Sequence, residues 1–161
     1  MHSTIPLTLT RDFAVAAAPA DAHALLADVP RSASHFPGVA QLVPLGDNAF
    51  RWEMRRIGVG ELALQTVYAS RYRGDANALR VWWEPVDDAR AGAHANARVS
   101  GHWQLQARPG GGTRVHLFLD TQFTLPIPHL LAHAAAQVLA HELNRQVDTY
   151  VANLIGTLGR I

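Results

Sequence analysis

Nine histidines and no cysteine set the chemistry open to this chain. Without thiolates, a zinc site would need three or four His, Asp or Glu groups converging, each held by hydrogen-bonded neighbours. His102 and His116 could meet across adjacent strands, and His133 and His141 recur along one helix, but neither pair has the spacing of a metal box. The chain is therefore read as holding no metal and no cofactor. The absent cysteine also excludes thiol nucleophiles and disulfides. Every basic side chain other than histidine is an arginine, so no lysine is available for a Schiff base. No serine sits in a Gly-x-Ser-x-Gly elbow; Ser100-Gly101 follows Val99 and reads as strand. Asp120 and His116 share a strand face at a separation too long for a direct bond along an extended chain. Gly110-Gly111-Gly112 lacks both the lysine and the strand–turn–helix setting of a phosphate loop, and reads as a hairpin turn.

General acid–base work needs a titratable group in a dry pocket. The side chains that alternation turns inward supply Tyr68, Tyr150 and Thr66, with Glu142 or Gln146 from a helix margin. Tyr68 is the one catalytic candidate, able to polarise a ligand carbonyl or anchor a hydroxyl. The plainer expectation is a buried tyrosine whose hydroxyl is held by backbone.

Positioning such groups takes a core, and the composition provides for one. The 161 residues are 48% hydrophobic and 17% charged, enough for one domain spanning 1–161. The net charge of +1, without a basic block, argues against a nucleic-acid partner. The N-terminus lacks a basic start followed by an apolar run, and residues 129–161 are too polar to span a bilayer. A cytoplasmic location is the simplest expectation.

Residues 5–15 alternate as a strand. Pro19-Ala20-Asp21 opens a short helix with Ala24, Leu25 and Ala27 inward, and a second short helix is expected over 30–35. From Val39 the period becomes two. Phe50, Trp52 and Met54 form one dry row; Leu62, Leu64, Thr66 and Tyr68 the next; then Val81 and Trp83. Val99, Gly101, Trp103 and Leu105 follow, and Val115, Leu117, Leu119, Thr121 and Phe123 close the series. Turns are expected at 46–48, 58–60, 73–75 and 109–112, and 85–96 is the longest irregular stretch. Arginines 51, 55, 56, 71, 73, 98 and 114 alternate outward as a solvated face, or one making transient contact with anionic lipid. After a hinge at 125–128, a helix of roughly thirty residues (about 45 Å long) carries Ala132, Ala136, Leu139, Leu143, Val147, Tyr150 and Leu154 on one stripe.

This order of elements resembles the helix-grip fold, an α+β arrangement in which a curved antiparallel sheet of about seven strands wraps a long C-terminal helix. Phe13-Ala14-Val15, Pro19-Ala20-Asp21, Leu25-Leu26-Ala27-Asp28 and Phe36-Pro37-Gly38-Val39 resemble the opening of START-related polyketide-cyclase and lipid-transport domains. Val99-Ser100-Gly101 through Leu105 and Gly112-Thr113-Arg114-Val115 resemble their late hairpin. The proline–glycine–valine step is also similar to that of a small carbon monoxide dehydrogenase protein that forms one branch of the same superfamily. The resemblance implies a deep cavity between sheet and helix, used in that superfamily for lipids, sterols, polyketides, isoprenoid quinones or plant hormones. It does not imply one reaction.

The expected ligand-facing set is Trp52, Met54, Leu64, Thr66, Tyr68, Val81, Trp83, Val99, Trp103, Leu117 and Leu119 from the sheet. Leu139, Leu143, Val147 and Tyr150 answer them from the helix. A small-molecule cavity of about 300–1,000 Å³ is expected, with tryptophans that either shrink it or stack on a flat ligand. The function expected is binding and shielding of an apolar molecule, with access gated by 85–96 and 36–39. The alternatives are an aromatase–cyclase enzyme, which would show several clustered polar groups inside, and an accessory component of a larger complex, which would show an exposed apolar patch.

Overall fold

The computed structural model describes residues 2–57, 64–87 and 95–161. Gly58, Gly60, Glu61, Leu62, Ala63 and most of the 85–96 stretch lie outside the described residues. The elements run β1 (Ser3–Val15), α1 (Pro19–Ala27), α2 (Val29–Ala33), β2 (Val39–Gly46), β3 (Ala49–Met54), β4 (Val67–Asp75), β5 (Arg80–Pro85), β6 (Ala97–Ala107), β7 (Thr113–Leu125) and α3 (Ala132–Leu158). One seven-stranded antiparallel sheet has the order β1-β7-β6-β5-β4-β3-β2. Only β1 leaves the meander, pairing with β7 from Ser3↔Leu125 to Val15↔Thr113.

Local chemistry explains most boundaries. Asp47 and Asn48, at φ 52° and 55°, supply the left-handed pair that a tight β2–β3 hairpin needs. Pro19 and Pro30 stand in the first turns of α1 and α2, where a missing N–H costs nothing. The Asp28 carboxylate accepts from the Arg31 N–H at 3.3 Å and caps α2. Inside α1 the buried residues are Ala22, His23, Leu25 and Leu26, so the inward face is rotated from the expected Ala24, Leu25 and Ala27. Burial of His23 is compensated by its Nε2, 3.0 Å from the Arg80 carbonyl oxygen.

Two strand limits differ from the sequence expectation. The β4 strand runs through 73–75 instead of turning there. The Asp75 carboxylate accepts from the N–H groups of Asn77 and Ala78 at 3.0 and 3.1 Å, which moves the turn onto the residues after it. At its other end β4 starts only at Val67, and Leu64 is limited to an isolated bridge with Ile57.

The helix α3 has 27 residues, about 40 Å at 1.5 Å each. A 3-10 turn over His129–Leu131 precedes it, so the α-helix proper starts later than expected. Two ties fasten it to β1. The Arg11 guanidinium donates to Asp148 Oδ1 at 2.8 Å and Asn144 Oδ1 at 2.7 Å. The N–H groups of Ala16 and Ala17 donate to the carbonyls of Gly159 and Leu158 at 2.8 and 2.9 Å. Beneath the C-terminal half of α3 the core is solid: Val15, Leu25, Val81, Val115, Val147 and Leu154 are all essentially inaccessible. Among the described residues no helix is long and apolar enough to cross a membrane.

Candidate functional site: a cavity under the first half of α3

Where α3 leaves that solid core, the sheet and helix enclose a cavity of about 120 Å³. The sheet contributes Trp52 and Met54 from β3, Tyr68 and Tyr72 from β4, and Trp83 from β5. Val99 and Trp103 come from β6, and Leu117, Leu119, Thr121 and Phe123 from β7. Thr66, just before β4, adds to the wall, and α3 answers with Leu139, Leu143, Val147 and Tyr150.

All of the expected ligand-facing set therefore lines one space, except Leu64 and Val81. Val81 faces inward but is 1% exposed, sealed in the solid core. Leu64 packs instead beside Ile5, Phe123, Leu125 and Leu139. The volume is below the expected range, and the reason is aromatic bulk. Trp52 stacks on Tyr68 at 5.8 Å and 11°, and Tyr72, Trp83, Trp103, Tyr150, Phe36 and Trp52 touch in succession, nearly as a ring. Gly101 makes this possible. A Cβ there would run into the Phe118 carbonyl oxygen and come within 2.7 Å of the Trp83 ring.

The wall is more polar than the dry rows suggest. The Ser32 and Tyr150 hydroxyls bond to each other in the interior. Burial pushes the Tyr150 phenol up to about 12, the Ser32 bond pulling back only in part. Burial first, and then the neighbouring Tyr150, raises Tyr68 beyond the usual phenol range. Tyr72 is raised by burial and then by Tyr68 and Tyr150. All three phenols thus stay neutral and protonated in ordinary buffers. Among the described residues no group hydrogen-bonds the Tyr68 hydroxyl, so the expectation that backbone holds it is not met. Among the described residues the Trp52 indole Nε1 and the Thr121 Oγ1, both buried, have no hydrogen-bond partner either. The Tyr72 hydroxyl is close enough to feel the Trp52 N–H, which lowers its pKa, but the geometry falls short of a bond.

Charge is confined to the mouth. Glu142, Gln146 and Arg55 line its edge. Arg55 is exposed, as the alternation predicts, and also borders the cavity, because β3 ends at Met54 just before it. Glu142 is held as a carboxylate, its pKa lowered chiefly by the bond from Arg145, with Gln146 donating at 3.2 Å. The turn at 36–39 closes against this edge: Gly38, at φ 80°, leaves room for the Gln146 amide where a Cβ would sit 3.2 Å away.

The histidines lie elsewhere. The rings of His102 and His116 are 5.9 Å apart on the outer face, and His116 Nδ1 is 2.7 Å from Asp12 Oδ1. Desolvation, then Arg80 and His116, lowers the His102 pKa. His133 and Gln137 meet at 3.4 Å on an exposed side of α3. Among the described residues no three His, Asp or Glu side chains converge as a metal site would need.

Sequence reasoning misses Tyr72, Ser32 and Arg55. Tyr72 has a signal, since Tyr68, Ser70 and Tyr72 continue one inward row once β4 is allowed its full length. Ser32 has none, because only the packing of α2 brings it to Tyr150.

No protein-family model matches the chain, and no curated protein matches it in sequence. Solved structures do share its fold. An aromatase/cyclase, Zhui from Streptomyces sp. R1128, aligns over 98% of this chain and 94% of its own, at 17% identity and TM-score 0.62. A START superfamily protein from Mycobacterium smegmatis aligns over 94% and 96%, at 11% identity and TM-score 0.62. The di-domain aromatase/cyclase StfQ of the steffimycin biosynthetic pathway matches 96% of this chain with 51% of its own, at 14% identity and TM-score 0.61. Identity this low establishes architecture, and it agrees with the resemblance carried by the sequence motifs: the chain has the helix-grip α+β fold of START superfamily proteins and polyketide aromatase/cyclases.

Proposed function

We propose that the chain binds and shields an apolar small molecule in the cavity under α3, in the manner of a lipid, isoprenoid quinone or polyketide carrier. The observation that carries this reading is the cavity itself, walled by five strands and roofed by α3, and dominated by aromatic and aliphatic side chains. A solid core would have filled that space. Trp52, Met54, Thr66, Tyr68, Trp83, Val99 and Trp103 provide the sheet contacts, with Leu117 and Leu119 beside them. Leu139, Leu143, Val147 and Tyr150 form the roof. Desolvation drives binding: each Å² of apolar ligand surface removed from water contributes about 25 cal/mol, before the cost of immobilising the ligand. The turn at 36–39 gates access against Gln146.

A second reading, cyclisation of a poly-β-keto chain, is favoured by one observation. The Tyr68 and Tyr72 hydroxyls stand in the wall as neutral donors with no bond of normal geometry to occupy them. Tyr68 would polarise a carbonyl there rather than act as a base, since its phenol does not ionise at working pH.

The test of the carrier reading is mass spectrometry of an organic extract from natively purified protein. Stoichiometric recovery of one apolar compound is expected. An empty extract, from a protein that also fails to take up a bicyclic hydrocarbon, would contradict the reading.

A further inference from the structure

Charge is sorted along the cavity. Its interior titratable groups are the phenols of Tyr68, Tyr72 and Tyr150, all kept neutral by burial. The two charged side chains that line it, Arg55 and Glu142, stand at the mouth. Glu142 is occupied: Arg145 donates to both of its carboxylate oxygens, and Gln146 donates to one of them at 3.2 Å. Among the described residues no carboxylate pairs with the Arg55 guanidinium. The backbone that carries this arginine is nevertheless fixed. The Arg55 N–H donates to the Gly38 carbonyl at 2.7 Å, and the Gln65 side-chain amide donates to the Met54 carbonyl at 2.9 Å. Gly38 in turn lies against Gln146, so Arg55 is mounted on the same rim as the turn and the helix that close the mouth. Other outward arginines do have partners, Arg51 in Glu53, Arg71 in Asp47 and Arg98 in Asp87. Arg56, next in the chain, is exposed and does not line the cavity. A charged ligand group in the interior would be desolvated without a counter-charge, whereas an anion at the mouth meets a free cation.

We propose that the ligand of this cavity is an anionic amphiphile, its ring-sized apolar body lying under α3 and its carboxylate held at the mouth by the Arg55 guanidinium. The inference rests on the carrier reading and narrows its ligand class. A carboxylate is flat and carries one charge, which matches the guanidinium fork and its single positive charge; a phosphate dianion would stay half compensated. A cationic head gains nothing in the same place, because Arg145 already neutralises Glu142 and Arg55 repels it. The size of the body follows from the 120 Å³ of free space, which suits one or two rings. The flat Trp52–Tyr68 stack gives such a ring a face to lie against.

The experiment compares tetralin with tetralin-2-carboxylate and protonated 2-aminotetralin, which add an anion or a cation to the same bicyclic body. Binding at neutral pH is measured by calorimetry. In wild type the carboxylate should bind at least threefold more tightly than the ammonium, the lower range for a charge-assisted pair open to water. Raising the salt from about 0.05 to 0.5 M should narrow that gap, a readout that needs no variant. In Arg55→Gln the ratio of the carboxylate to the tetralin dissociation constant should rise about 3–10-fold. Arg55→Glu should turn the preference over to the ammonium. Arg56→Gln, which removes an equal charge one residue away, should leave the ratio within about twofold of wild type. A thermal melt checks that each variant is folded. An ammonium bound as tightly as the carboxylate in wild type, or equal losses in Arg55→Gln and Arg56→Gln, would overturn the inference while leaving an apolar site in place. Failure of all three probes to bind would overturn the carrier reading with it.

Discussion

The two halves of α3 rest on the same sheet and do different things. From Val147 onward the helix buries Val147, Tyr150, Leu154 and Leu158; Val147 and Tyr150 mark the boundary and still border the cavity, whereas Leu154 and Leu158 pack into core away from it. Before Val147 only Leu139 is fully buried; Leu143 is half-buried, Val138 is 64% exposed, and polar Glu142 and Gln146 reach the rim. Leucine at i, i+4 spacing occurs in both halves, so hydrophobic periodicity does not tell a grip from a roof. The difference lies in what the sheet offers below. Aliphatic Val81, Leu105 and Val115 pack into core away from the cavity, whereas the rigid rings of Trp52, Tyr68, Tyr72 and Trp83 hold one another apart and wall it.

The contrast breaks most visibly at Leu154. Leu154→Ala should cost about 2–5 kcal/mol by denaturant unfolding, because the surrounding core cannot collapse into the hole. Leu143→Ala should cost about 1 kcal/mol, since that side chain already borders free space. If the two losses were equal, the roof would be core.

Alkaline pH sharpens the same boundary. The Tyr150 phenol, raised from 10.0 to about 12, is neutral in the folded chain over a range where the unfolded chain has ionised. Its contribution is complete below pH 10 and is lost as pH climbs to about 12, on the order of 3 kcal/mol in all. Melting temperature should fall across that window. Tyr150→Phe should lessen the fall without abolishing it, since buried Tyr68 and Tyr72 still resist ionisation, at a neutral-pH cost of about 1 kcal/mol for the orphaned Ser32 hydroxyl.

The smallest effects belong to the outer face. Replacing His102 or His116 by Ala should leave both tetralin affinity and stability nearly unchanged, within about 0.5 kcal/mol. Leu143→Gln or Trp83→Gln should weaken tetralin binding at least tenfold (about 1.4 kcal/mol). Equal effects at all four positions would count against the cavity.

The fold is legible in the sequence because alternation survives burial on one face: the rows through Trp52, Trp83, Trp103 and Leu117 each reveal their strand. The cavity lining is largely legible for the same reason. Polarity inside is not. Arg55 reaches the mouth only because its strand has already ended. Ser32 meets Tyr150 through the packing of a five-residue helix, a contact 118 residues apart in the chain. The free volume is smaller than the sequence suggests because a row of inward aromatics does not announce how its rings will lean on one another.

The most direct test of the central claim is to fill the cavity from its roof. Leu143→Trp places an indole into about 120 Å³ of free space, and tetralin binding is then measured by calorimetry alongside a thermal melt. The account predicts a folded protein with a melting temperature near that of wild type and affinity reduced more than tenfold (about 1.4 kcal/mol). A folded Leu143→Trp protein that binds tetralin as well as wild type would contradict it, because the ligand would then sit elsewhere.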